Sequence, residues 1–120
     1  MKLERRLVVL IALHSYAVGF GLLFLTEWAT RLGGWDRPAP LFFARQAGLF
    51  HFLLASAYLL EYFRRGSVTL LLAAKATAVV FLTAMMLVEP APWLVPFSAA
   101  ADGLMGLAVW VVHRRSSRPG

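Results

Sequence analysis

Cysteine is missing from the 120 residues, which excludes disulfides, thiolate metal sites and the Cys-x-x-Cys chemistry of membrane thiol oxidoreductases. Acidic residues are scarce, with six Asp and Glu against twelve Lys and Arg and a net charge of +6. An excess of that sign can serve nucleic acid. Here the basic residues gather at the ends of apolar runs, where membrane topology and anionic headgroups account for them, so no nucleic-acid partner is expected. Catalytic signatures are missing too. There is no Gly-rich phosphate loop, no His-Glu-x-x-His and no Gly-x-Ser-x-Gly, and the segments between apolar runs are too short for a soluble active site. No catalytic residue, cofactor or metal is therefore called for by a motif.

What the chain has in abundance is apolar length. It is 60% hydrophobic with a mean hydropathy of +0.70, where soluble domains average about 45–50%. Four apolar runs, 7–28, 41–63, 67–88 and 93–113, each hold about 20 residues, or roughly 30 Å of helix, enough to cross a bilayer's hydrocarbon core. The reading is all-α: a four-transmembrane-helix antiparallel bundle, integral to the membrane, as one domain over 1–120. Segment 33–40, Arg64-Arg65-Gly66 and Glu89-Pro90-Ala91-Pro92 interrupt the helices, and Pro96 places a bend early in the fourth span. Lys2, Arg5, Arg6, Arg64, Arg65, Arg114, Arg115 and Arg118 fall on one side. Arg31 and Arg37 fall on the other, with Arg45 just inside a span, which predicts that both termini are cytoplasmic. Trp28, Trp35 and Trp93 mark the outer interface; Tyr62 and Trp110 mark the inner one. A cleaved signal peptide is the competing reading of the N-terminus, from basic Lys2–Arg6 and the small-residue pattern Ser15-Tyr16-Ala17. The apolar run continues to Leu25 and His14 interrupts it, so a retained span is expected.

Each run carries one ionisable residue at similar depth: His14, His51, Lys75 and Asp102. Counted from the cytoplasmic end, they lie about 12, 20, 14 and 17 Å deep. Charge in hydrocarbon is costly and persists where a bundle interior or a cavity accommodates it. Residues three or four apart share a helix face. His14 then shares its face with Ala17 and Gly21, His51 with Ala44, Gly48 and Ala55, Lys75 with Ala78, and Asp102 with Ala99 and Gly106. Small residues allow close helix approach, so the four should meet inside one bundle. The structural reading is a Lys75–Asp102 ion pair, with the histidines bonded to backbone, Ser15 or Thr77. The functional reading is a layer that binds a ligand, a proton or a cofactor. Two histidines raise haem, although their estimated levels differ by about 7 Å. A His14–His51–Asp102 metal site is disfavoured by the adjacent Lys75. His113 reads as a solvated interfacial residue. Glu61 with Arg64 and Arg65 reads as a cluster that positions a helix end.

A second polar group lies toward the outer face: Arg45, Gln46, Glu27 and Glu89. Its structural reading is an interfacial ion pair with snorkelling side chains. Its functional reading is a mouth where Arg45 grips an anionic headgroup.

Ala44-Arg45-Gln46-Ala47-Gly48, Tyr58-Leu59-Leu60 and Ala101-Asp102-Gly103-Leu104 resemble segments of the small four-span bacterial membrane proteins grouped as DoxX-like, over about the latter two-thirds of the chain. The resemblance implies a multi-pass protein of the bacterial inner membrane, in a group whose members have been linked to membrane redox complexes. Three roles are expected in descending order. The first is a non-catalytic accessory or assembly subunit packed on other membrane subunits or on itself. The second is a redox or lipophilic-ligand module holding haem, quinone or lipid at His14, His51 and Lys75. The third is an oligomeric proton- or ion-coupled carrier relaying through Asp102 and Lys75.

Overall fold

The computed structural model describes residues 2–36 and 41–116. The expected turn residues 37–40 and Arg118 lie outside them. The described chain is entirely helical in its regular structure: α1 (Lys2–Phe24), α2 (Thr26–Leu32), α3 (Leu41–Arg65), α4 (Thr69–Val88) and α5 (Leu94–Ser116). α1, α4 and α5 (to Arg115) are long and apolar enough to cross a membrane, as in a membrane protein. α3 is equally long but carries Arg45, Gln46, His51 and Glu61, and it is not among the three on composition.

The expected first run, 7–28, is two helices rather than one. The break is at Leu25, whose φ of −120° and ψ of 44° leave the helical region. Thr26 and Thr30 favour it, because hydroxyls near a helix interior compete for backbone carbonyls. The Thr26 hydroxyl donates to the Leu22 carbonyl at 2.6 Å, and Thr30 donates to Thr26 at 2.8 Å. The other boundaries shift by a few residues: 41–63 extends to Arg65, 67–88 starts at Thr69, and 93–113 runs from Leu94 to Ser116. α5 is helical through Pro96, which sits in the first turn, where a missing N–H costs no intrahelical bond. Gly66, at φ +64°, turns α3 into α4. Glu61, read as a helix-end residue, accepts the Leu70 N–H at 2.9 Å and so caps α4 across the hairpin.

Packing is uneven. α1 lies closely along α3, and α4 along α5, while the two pairs meet through narrower α1–α5 and α3–α4 seams. Gly19 and Gly48 put the α1 and α3 backbones in direct contact; a Cβ on Gly19 would stand 2.7 Å from the Gly48 carbonyl oxygen. Tyr16 and Ser56 add a 2.6 Å hydroxyl bond between the same helices. Val8, Ile11, Tyr58, Val68, Leu71 and Val109 form the core cluster. They come from the start of α1, the end of α3, the start of α4 and the end of α5. The two pairs are therefore clamped at the basal end, where the chain begins and Gly66 turns.

The distal end is held by its loops. Gly34, at φ +102°, passes so close to Pro92 that a Cβ there would stand 2.7 Å from the proline ring, and Gly33 packs on Leu94. The Trp93 Nε1–H donates to the Leu32 carbonyl at 3.0 Å. Trp93→Phe keeps an aromatic ring and removes that bond. It should cost about 1 kcal/mol, read as a lowered unfolding midpoint in detergent.

Large apolar side chains cover the outside, among them Leu87, Phe42, Leu104 and Leu53, all more than half exposed. Exposed apolar side chains in such number suit a lipid or subunit contact.

Candidate functional site

Clamped at one end and looped together at the other, the two helix pairs flank a partly open cavity of about 650 Å³. Its walls are apolar: Val18 and Leu22 from α1, Phe43 and Ala47 from α3, Phe81 and Leu82 from α4, Phe97 and Ala101 from α5. Thr30, Trp35 and Leu94 line its distal part, and His14, His51, Ser98 and Asp102 supply polar groups nearer its floor. From Asp102 to Leu94 along α5 the cavity is about 12 Å long. Phe43 and Phe81 are themselves exposed.

Lys75 lies behind this surface. Its Nζ donates to Asp102 Oδ1 at 2.9 Å, with the Lys75 side chain 8% exposed and that of Asp102 17%. Gly106 makes room for the lysine stem, its position lying 3.2 Å from Lys75 Cβ for any added Cβ. The ion pair thus joins α4 to α5 and presents the carboxylate to the cavity with the ammonium held on its far side. His14 and His51 behave differently. Neither has a hydrogen-bond partner within the protein among the described residues, and both face the cavity. The Ser15 and Thr77 bonds expected for them are not formed: Ser15 is buried on the α3-facing side of α1, and the Thr77 hydroxyl donates to the Ala73 carbonyl.

The expected grouping is otherwise realised in part. Ala44, Ala47 and His51 share the cavity face of α3, and Ala78 shares that of α4. On α1 the close-packing residue is Gly19, and Ala17 is exposed. His14 instead lies in line with Val18 and Leu22 along the cavity. The reason is the crossing with α3: the backbone contact at Gly48 selects the Ala12–Ser15–Gly19 stripe, and His14 falls beside it. Among the described residues, no three His, Asp or Glu side chains are grouped to hold a metal ion.

The outer polar group does not belong to this cavity. Arg45 and Glu27 line a separate groove of about 260 Å³ with Phe24, Thr26, Trp28 and Leu41. Gln46 and Glu89 are exposed elsewhere. Among the described residues Arg45 makes no ion pair with Glu27 or Glu89, so the expected interfacial pair around Arg45 is not formed. His113, read as solvated, is instead half-buried and has its Nδ1 3.0 Å from Glu4 Oε2. That contact ties the start of α1 to the end of α5. Glu4 was not singled out by sequence, although an acid between Lys2 and Arg5 in a basic leader was the available signal. Ser98 is a further cavity residue not anticipated, legible only as the position one turn before Asp102.

No family model, curated protein or solved structure matches the chain.

Proposed function

We propose that the protein is a four-span integral protein of the bacterial inner membrane that binds a lipophilic molecule in the central cavity. The molecule's polar group would sit on His14, His51 and Asp102, and its apolar body along Val18, Phe81 and Phe97. One observation carries this reading: two imidazoles without hydrogen-bond partners among the described residues face an apolar-walled cavity whose volume lies in the range of about 300–1,000 Å³ usual for small-molecule sites. A quinone carbonyl or a lipid headgroup would use the hydrogen-bonding capacity that the histidines leave unspent. Haem would use it by axial ligation. Lys75 acts through Asp102 as a positioning residue.

The fourth span in this reading is α3. It lies against α1 through the Gly19–Gly48 contact, which supports counting it as a span beside α1. Its polar residues either face the cavity, as His51 does, or lie near its ends, as Arg45 and Glu61 do. Arg5, Arg6, Arg64, Arg65, Arg114 and Arg115 gather at the basal end, which supports cytoplasmic termini. The DoxX-like segments support the same architecture. An accessory subunit would also have exposed apolar faces, but it has no need of a cavity with a polar floor. A carrier would have to open the basal plug of Val8, Ile11, Tyr58 and Leu71.

The test is native mass spectrometry of protein drawn gently from its host membrane, with an absorption spectrum of the same sample. A stoichiometric small mass or a Soret band is the expected result. Ala101→Phe should abolish it by filling the cavity without touching the ion pair. A protein that carries no small mass and elutes only with larger subunits would overturn ligand binding in favour of the accessory role.

A further inference from the structure

The Arg45–Glu27 groove is distinct from the central cavity and shares no lining residue with it. We infer that it is a second site, which holds the headgroup of a zwitterionic phospholipid with a primary amine, phosphatidylethanolamine, at the distal interface of the membrane.

Three features support this. The groove brings one cation and one anion to a single concavity, and among the described residues the two are not paired with each other or with any other charge. A guanidinium and a carboxylate held apart on one surface complement a ligand that also carries two opposite charges held apart. A purely anionic headgroup would meet Glu27, and a purely cationic one would meet Arg45. The chemistry of each partner is also specific. The guanidinium fork matches phosphate oxygens, and a carboxylate accepts hydrogen bonds from an ammonium, which phosphocholine cannot donate. The rest of the lining suits the lipid's apolar part. Phe24 and Trp28 are both more than 60% exposed beside the charged pair, and an indole at this level is typical of the membrane–water boundary. This site does not depend on what occupies the central cavity.

The full chain would be reconstituted in nanodiscs of equimolar phosphatidylethanolamine, phosphatidylcholine and phosphatidylglycerol, then delipidated stepwise, with retained lipids counted by native mass spectrometry. The wild type should retain phosphatidylethanolamine over each of the others by about two- to fivefold, the scale of exposed charge pairs. Glu27→Gln should equalise phosphatidylethanolamine and phosphatidylcholine and raise phosphatidylglycerol. Arg45→Gln should lower retention of all three. Both side chains are exposed, so helix content and melting should stay at wild-type values. Selectivity should persist in Ala101→Phe; its loss there would assign the lipid to the central cavity and overturn the groove site. Equal retention of the three lipids by the wild type, a preference for phosphatidylglycerol, or selectivity unchanged in both charge variants would overturn it as well.

Discussion

Asp102→Leu should destabilise the protein by about 3–5 kcal/mol, the usual cost of leaving one member of a buried pair uncompensated. The cost falls mainly on Lys75, whose side chain is 8% exposed and whose ammonium has Asp102 as its ion-pair partner. The reverse change, Lys75→Met, should cost less, because Asp102 opens onto the cavity and its side chain is 17% exposed. Replacing both, as Lys75→Met with Asp102→Leu, should recover most of the loss, since an apolar pair of similar size often equals a buried ion pair in stability. The double variant also separates structure from function. If the carboxylate only holds α4 to α5, the refolded double variant keeps its bound molecule; if it forms part of the binding floor, the molecule is lost. Unfolding in mild detergent, paired with native mass spectrometry of each variant, reads both quantities. Wild-type stability for Asp102→Leu alone would mean that Lys75 is solvated and that the pair does little work in the fold.

Gly48→Val should separate α1 from α3. A Cβ at residue 48 would stand 2.8 Å from the Gly19 carbonyl oxygen and 2.9 Å from the Leu23 nitrogen. Both are backbone atoms and cannot rotate away. Overpacking usually costs about 1–3 kcal/mol, and a contact between two helix backbones belongs at or above the upper end of that range. Widening this crossing also displaces Ala44, Ala47 and His51 relative to Val18, so occupancy of the cavity should fall with stability. Gly103→Ala is the contrasting case on α5. Its Cβ would meet only Val79 Cγ2, at 3.6 Å, an ordinary contact, and alanine gains up to about 1 kcal/mol in helix propensity. It should be neutral or mildly stabilising. If Gly48→Val and Gly103→Ala melt together with the wild type, the helix crossing has been misassigned.

The helices were legible because their signals are local. Apolar run length sets where each begins and ends, Pro90 and Pro92 stop α4, and Gly66 permits the hairpin turn. Several cavity residues were legible for a related reason: His14, His51 and Asp102 are conspicuous wherever hydrocarbon is expected, and the cavity lining includes all three. The break at Leu25 was harder to see. Thr26 and Thr30 are acceptable inside a continuous apolar run, and only their bonds to Leu22 and Thr26 show that the helix bends there.

By itself, then, the sequence determined an all-helical chain with helices apolar enough to cross a membrane, since hydropathy and helix spacing are properties of neighbours along the chain. Tertiary structure alone decided which of its polar groups are satisfied. Lys75 meets Asp102 because Gly106 lets α4 and α5 approach. His113 meets Glu4 because the start of α1 and the end of α5 converge. His14 and His51 keep their hydrogen-bonding capacity because the helix pairs, clamped by Val8, Tyr58, Leu71 and Val109 at one end, leave a cavity beyond the clamp instead of closing on one another. Pairing of this kind depends on side chains up to 109 positions apart, and no periodicity read along one helix specifies what the opposite helix will bring to the same level.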